Sequence, residues 1–354
     1  MTPTEPQPRQ VIIQERTTMF GRFGKLLLIA LGICLMVMAG MAAQYQSYFG
    51  AGEGPDEKYH SLSKTAEQKI AIIAVDGSIM EGDDFVKKQI DRVREDKSVK
   101  GVVLRINSPG GTVTYSDYLY HHLNELREDR KIPVVVSMGS LCASGGYYIA
   151  MAAAAGDGAR EDVIFAEPTT WTGSIGVIIP HYDLSGLLGS WKVEDDSVAS
   201  GPLKQMGSPT KEMTPEEREI LQTLVDQTFN RFKEIVAEGR PKLAEKPKEI
   251  DEAATGQIFT AQQAETRGLV DQIGFVEDAI ARTAELAGVS ASNVRCVKYE
   301  RKPDPLSALL GASTPLRNAS GPAIVLDTRT LIDLAAPRAW AICTWAPAIA
   351  ASGH

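Results

Sequence analysis

Three short segments of this chain carry residue types and spacings that can do chemistry. The first is Cys142-Ala143-Ser144-Gly145-Gly146-Tyr147-Tyr148. A serine with small neighbours at a strand-to-helix turn can present its Oγ to a cleft as a nucleophile. The N–H of Gly145, next in the chain, can then face the developing oxyanion. The same serine can equally be a plain N-cap of the helix running on through Tyr148 and Ala150, and this segment alone does not decide between the two. The second segment, Asn107-Ser108-Pro109-Gly110-Gly111, directly follows the run VVLRI. Consecutive glycines leaving a strand let backbone N–H groups point at a ligand, which is how an oxyanion hole is built. A plain turn is the competing reading. The third is Ser200-Gly201-Pro202-Leu203-Lys204-Gln205-Met206. A lysine acts as a general base only where an apolar setting lowers its pKa. Leu203 and Met206 supply apolar neighbours, yet most lysines are solvated surface charges. A histidine base is the alternative. Of His60, His121, His122, His181 and His354, only His181 competes with Lys204, and local sequence does not rank the two.

These residues need a frame to bring them together. Ile70–Val75, Val102–Ile106, Val134–Val136 and Val163–Phe165 are short β-branched runs. Near-continuous apolar runs suit strands buried on both faces of a parallel sheet. Helical patterns lie between them at Asp84–Arg94 and Ser116–Arg127. Alternation of strand and helix predicts an α/β fold with right-handed crossovers. Thr214-Pro215-Glu216-Glu217 opens a long helix: threonine at the N-cap, proline at N1 and glutamate at N3 form a capping box. Its apolar spacing runs through Val236 and Gly239 is placed to end it. Two shorter helices are expected at Thr260–Arg267 and Val276–Ala287.

The chain has 354 residues, 44% hydrophobic and 23% charged, with a net charge of −8. That balance fits a globular protein and offers no basic face for nucleic acid. Cys34, Cys142, Cys296 and Cys343 lack C-x-x-C spacing, so neither a metal site nor a disulfide framework is indicated. Leu26–Ala43 runs without a charge, close to the roughly 20 residues that span a bilayer. Arg9, Arg16, Arg22 and Lys25 precede it while Glu53, Asp56 and Glu57 follow, which keeps the N-terminus cytoplasmic and sends the remainder across. A cleavable signal peptide is the alternative, and the long polar N-terminal region favours the uncleaved anchor. The expected organisation is a tail over 1–25, an anchor over 26–43 and a linker over 44–68. A catalytic domain over 69–300 and a C-terminal tail over 301–354, to which no role is assigned, follow.

Taken in order, the segments resemble the signal peptide peptidase A family of Ser–Lys serine peptidases. The resemblance rests on Leu104-Arg105-Ile106-Asn107-Ser108-Pro109-Gly110-Gly111 and on Ala143-Ser144-Gly145-Gly146-Tyr147-Tyr148-Ile149-Ala150. It extends through Thr172-Gly173-Ser174-Ile175-Gly176-Val177-Ile178 and Ser200-Gly201-Pro202-Leu203-Lys204 to Gly268-Leu269-Val270-Asp271. It covers roughly residues 68–290. It implies a Clp-protease/crotonase-like spiral of ββα units, with Ser144 as nucleophile, Lys204 as base and Ser174 orienting that lysine. Gly110 or Gly111, with Gly145, then supplies the oxyanion hole. It further implies no cofactor and a single-pass protein of the cytoplasmic membrane with its catalytic domain outside. A homo-oligomeric ring in which Lys204 reaches a neighbouring subunit, and peptide substrates such as signal-peptide remnants, complete the expectation. A crotonase-like acyl-CoA enzyme and a catalytically silent membrane scaffold are the other classes. Two departures from the family pattern stand out: the stretch between Tyr148 and Val163 is long, and the tail beyond Lys302 has no recognised counterpart.

Overall fold

The computed structural model describes residues 19–49, 54–154, 162–301 and 340–342, in two compact units divided between Glu53 and Gly54. The first unit is helix α1, Met19–Phe49, whose 31 residues make it roughly 46 Å long. Leu26, Leu27, Leu28, Ile29, Leu31, Ile33, Leu35, Met36, Val37, Met38 and Met41 are exposed on it. Among the described residues no helix is long and apolar enough to cross a membrane.

The second unit begins with strands β1 (Asp56–Leu62) and β2 (Gln68–Asp76), helix α2 (Phe85–Glu95), and strands β3 (Val99–Ser108) and β4 (Gly110–Thr112). Helix α3 (Val113–Arg130), strand β5 (Val134–Ala143) and helix α4 (Gly145–Ala150) follow, then strands β6 (Ile164–Ala166) and β7 (Trp171–Gly173). Next come helices α5 (Ser185–Ser190), α6 (Pro215–Gly239), α7 (Pro241–Ala244) and α8 (Pro247–Ala253). Strand β8 (Ile258–Thr260), helix α9 (Ala261–Thr266), strand β9 (Gln272–Ile273), helix α10 (Val276–Leu286), strand β10 (Val294–Glu300) and strand β11 (Trp340–Ile342) complete it.

The four apolar runs read from the sequence become β2, β3, β5 and β6, and they are neighbours. A nine-stranded sheet has the order β1-β10-β2-β3-β5-β6-β9, with β7 pairing to β5 and β8. Every pair from β10 through β9 is parallel. Residues 102–104 and 134–138 are buried without a break, as strands covered on both faces must be. Val86, Ile90 and Val93 of α2, Leu119, Leu123 and Leu126 of α3, and Ala279, Ile280 and Ala284 of α10 complete one core with them. A methyl group on Gly101 of β3 would sit 2.5 Å from Thr283 of α10, so glycine allows that helix to lie close.

The capping box at Thr214 and Glu217 is formed in both directions and starts α6 where the sequence indicates. Thr260 caps α9 in the same way. The stretch 44–68 is not a linker throughout. Residues 44–49 continue α1, and 56–62 form β1, antiparallel to β10. Lys69 explains the edge: its ammonium bridges Glu57 at 2.6 Å and Asp96 at 2.9 Å, tying β1 to the turn before β3. The long stretch after Tyr148 lies largely outside the described residues. Of the tail, only Arg301 and β11 lie within them.

Candidate active site

Strand β5 ends in a sharp turn that delivers Ser144. The residue is the N-cap of α4 with φ 56° and ψ −115°, a conformation an L-residue adopts only under constraint. Three local contacts impose it. The Ser144 N–H donates to the Gly173 carbonyl at 2.8 Å, and the Ser144 carbonyl accepts from Tyr148 N–H at 2.9 Å. The hydroxyl of Thr172 donates to the Cys142 carbonyl at 2.6 Å, pinning the strand end. Helix α4 is then anchored by its aromatic residues. Tyr147 donates to the Leu269 carbonyl at 2.9 Å, and Tyr148 donates to Asp117 at 2.6 Å while its ring meets Phe232 of α6 with centroids 4.9 Å apart.

The Ser144 side chain is buried, and among the described residues its Oγ has no hydrogen-bond partner. A capping serine would spend that oxygen on the N–H of its second or third helical residue; this one does not. A strained backbone holding an unpartnered hydroxyl is the geometry of a nucleophile elbow. The neighbouring Cys142 cannot take the role: it is wholly buried, and burial pushes its thiol pKa up, so the thiolate is disfavoured.

The glycine turn lies against α4. Gly110, with φ 95°, spends its N–H on Ser108 Oγ at 3.1 Å, and its carbonyl accepts from Ile79 N–H at 2.9 Å. Thr112 N–H donates to the Ile79 carbonyl at 2.9 Å. Because consecutive residues of a strand point their polar groups to opposite edges, the N–H and carbonyl of Gly111 face away from Ile79. Of the two glycines, Gly111 therefore keeps a donor free of Ser108 and Ile79, on the edge that β11 pairs. A methyl group on it would meet the Ile79 carbonyl oxygen at 1.8 Å, so no other residue fits. Gly145, the first residue of α4, is buried beside Ser144.

Ser174 is brought to the same place by β7. Gly173, φ 87°, accepts the Ser144 N–H, and Ser174 follows at φ 51° with its own N–H donated to the Gln257 carbonyl at 2.7 Å. It is nearly buried and lines a cavity of about 610 Å³ with Ile175, Val177, Val225, Phe229 and Ile258. Lys204 is not brought there. It is exposed, on a turn closed by its N–H donating to the Gly201 carbonyl at 3.1 Å, and it lines a separate cavity with residues 193–200 and 205–210. The segment 178–203 around it exposes Ile178, Tyr182, Leu187, Trp191, Val193, Val198 and Leu203. His181 is no nearer to serving as base: its Nε2 lies 3.3 Å from the Ser208 carbonyl. His121 and His122 share Glu125 on α3.

Several supporting residues lie within the sequence motifs, but their roles were not legible there. Ser108 holds Gly110, and Arg105 reaches from β3 to Glu167 at 2.5 Å and Ser137 at 2.8 Å. Asp271 of the Gly268-Leu269-Val270-Asp271 motif accepts from the N–H groups of Val163 and Ile164, each at 2.9 Å, and from Arg240 at 2.6 Å. That motif is structural: it fastens β6, and Leu269 receives Tyr147. Only its contacts, absent from local sequence, separate such a role from a catalytic one.

Fold and site together define an α/β protein built around a serine at a strained strand-to-helix turn. Comparison with known proteins places it further. Residues 126–290 match the description of peptidase family S49. The chain is 39% identical over 253 residues to a putative protease of Synechocystis sp., covering 72% of this chain and 87% of the relative. It is 36% identical over 253 residues to Protease 4 of Salmonella typhi, covering 69% of this chain, and 41% identical over 192 residues to a putative signal peptide peptidase of Enterococcus faecium, covering 54%. The matched part spans 38% of the Salmonella protein and 52% of the Enterococcus one. The chain belongs to peptidase family S49.

Proposed function

We propose that this chain is a membrane-anchored serine endopeptidase in which Ser144 attacks a peptide carbonyl and Lys204 of a neighbouring copy serves as its base. The observation that carries the reading is the buried, unpartnered Oγ of Ser144 on a strained turn. That hydroxyl has no base within its own chain among the described residues, while Lys204 stands exposed on a segment rich in exposed apolar side chains. Packing of those side chains against a second copy removes water from around the lysine, and a lysine is a base only when its neutral form is favoured in this way. Neutral Lys204 then takes the proton from Oγ as the C–O bond forms. Ser174 orients the amine, and the N–H groups of Gly111 and Gly145 meet the oxyanion. Lys204 returns the proton to the leaving amine, and water hydrolyses the acyl-enzyme.

The cavity beside Ser174 sets Ile175, Val177, Val225, Phe229 and Ile258 beside the polar Gln222, Asp226 and Thr255, and its apolar wall suits an apolar substrate side chain, which favours hydrophobic peptides such as signal-peptide remnants. In the sequence, the charge-free run Leu26–Ala43 with basic residues before it and acidic ones after supports a single membrane span with the catalytic unit on the extracytoplasmic face of the cytoplasmic membrane. The repeated β-strand and helix units fit the Clp-protease/crotonase spiral, and a homo-oligomeric ring follows from a base supplied by the neighbour. The test is to treat the detergent-purified full chain with a serine-reactive phosphonate and map the adduct, alongside hydrolysis of a hydrophobic peptide. Labelling at Ser144 with hydrolysis is expected. Absence of both points instead to a silent scaffold, and acyl-CoA turnover without labelling to a crotonase-type enzyme.

A further inference from the structure

Helix α3 carries two adjacent histidines, His121 and His122, and then Glu125, four residues after the first and three after the second. Side chains at those spacings share one face of a helix, so the carboxylate meets both imidazoles. Glu125 Oε1 lies 3.3 Å from His121 Nε2, and Glu125 Oε2 lies 2.8 Å from His122 Nδ1. One ligand atom from each residue falls within 4.8 Å of the other two. A tetrahedron with bonds of about 2.0 Å has edges of roughly 3.3 Å, so small side-chain rotations bring the three atoms to corners of one coordination shell. The proposed peptidase chemistry uses none of these residues.

Their surroundings hold two of the three in place. The His122 side chain is 17% exposed, and its ring meets Tyr118 edge-on with centroids 4.4 Å apart. Tyr118 in turn stacks on Tyr115 at 5.5 Å. This aromatic row orients the imidazole, as the groups behind a metal ligand do. Glu125 is held from α2, where Arg94 Nη2 lies 3.1 Å from its Oε2, and Oε1 is left facing His121. The Arg94 charge opposes a cation, and Asp129, 3.8 Å from its Nε, offsets that charge. The His121 side chain is exposed and completes the group from the solvent side, where water has access.

We propose that His121, His122 and Glu125 form a binding site for one divalent transition-metal ion of the zinc class, with water filling the remaining coordination positions. The donor set selects the ion. Two imidazole nitrogens and a carboxylate suit Zn²⁺, Co²⁺, Ni²⁺ or Cu²⁺, whereas Mg²⁺ and Ca²⁺ favour oxygen ligands throughout. Among the described residues no other group of three histidine, cysteine or carboxylate side chains is placed to hold an ion, so one ion per chain is expected. The ligands span a full turn of α3, the helix that runs directly on from the glycine turn of β4. A bound ion clips that helix and, by binding the folded chain, stabilises it. The proposal does not depend on peptidase activity.

The test uses the untagged full chain in detergent, stripped of metal with a chelator and titrated with Co²⁺, whose visible absorption reports its coordination. Zn²⁺ is then added in competition. One Co²⁺ per chain with the absorption of a four- or five-coordinate site is expected, abolished by Zn²⁺ and unaffected by Mg²⁺ or Ca²⁺. Loss of a group that only supports a ligand costs 10–100-fold in affinity, so His121→Ala, His122→Ala and Glu125→Gln should each weaken Zn²⁺ binding by at least about tenfold. Zn²⁺ should also raise the melting temperature of the parent chain and not that of the variants. His121 is exposed, so His121→Ala keeps the fold and reads binding alone. Absence of the cobalt absorption, or equal Zn²⁺ affinity in the parent and the His121→Ala chain, overturns the proposal.

Discussion

At the scale of single residues, the site is a set of backbone positions before it is a set of side chains. Ser144, Gly173 and Ser174 all hold positive φ, and hydrogen bonds to neighbouring strands and loops lock them. Gly111 makes the sharpest prediction. Because a methyl group there would stand 1.8 Å from the Ile79 carbonyl oxygen, Gly111→Ala must push the segment around Ile79 away from β4. Overpacking of this kind costs about 1–3 kcal/mol. Thermal melting should show that loss, with peptide hydrolysis falling far more than the stability change accounts for. Asn107, at the entry to the same turn, contributes through its side chain instead, accepting from the Ser140 hydroxyl and the Leu141 N–H. Much of this was legible in the sequence: a serine among glycines after an apolar run, and a Pro-Gly-Gly turn after another. The choice between Gly110 and Gly111 was not, because it depends on Ser108 and Ile79, and Ile79 lies far away in sequence.

At the scale of elements, two ion-pair sets fasten the frame. Arg240 at the end of α6 reaches Asp271 at 2.6 Å, with both side chains nearly buried. Burial works against the Arg240 charge, but the hydrogen bond to Asp271 together with the fields of Tyr147, Asp271 and Asp162 holds the guanidinium pKa above its ordinary value. Asp271→Ala leaves that cation unpaired and also removes the acceptor for Val163 and Ile164, so a loss of about 3–5 kcal/mol in chemical unfolding is expected. The second set is pH-sensitive. Burial opposes ionisation of Asp96, yet the Ser98 hydroxyl, the Lys69 ammonium and the Ser98 N–H hold its pKa at about 2, below the ordinary 3.8. The folded pKa is the lower one, so the stabilisation is complete above the unfolded pKa and fades as pH falls through the folded value. Melting temperature should therefore drop between about pH 4 and pH 2, and Asp96→Asn should flatten that drop. Strands β2, β3, β5 and β6 and helices α6, α9 and α10 were readable from apolar period and capping. Strand β1 was not: its residues alternate weakly, and its place is set by pairing to β10 and by Lys69, neither of which its own residues reveal.

At the scale of the whole molecule, one copy leaves the proposed nucleophile without a hydrogen-bonded base among the described residues and the proposed base on an exposed turn. Ser144 is buried with its Oγ unpartnered, and Lys204 is exposed on the apolar-rich segment that precedes α6. Order along the chain could suggest the pairing of these residues, but not whether it forms within a chain or between chains. That distinction belongs to assembly, and mixing inactive variants measures it. Ser144→Ala and Lys204→Ala chains, each folded by circular dichroism and each without hydrolysis of a hydrophobic peptide, are combined in detergent under conditions that exchange subunits. If Lys204 serves the Ser144 of a neighbouring copy, sites that join an intact serine to an intact lysine form in the mixture, and hydrolysis returns to a substantial fraction of the unmutated level. A mixture as inactive as its two components, with subunit exchange verified by differential labelling, contradicts the account.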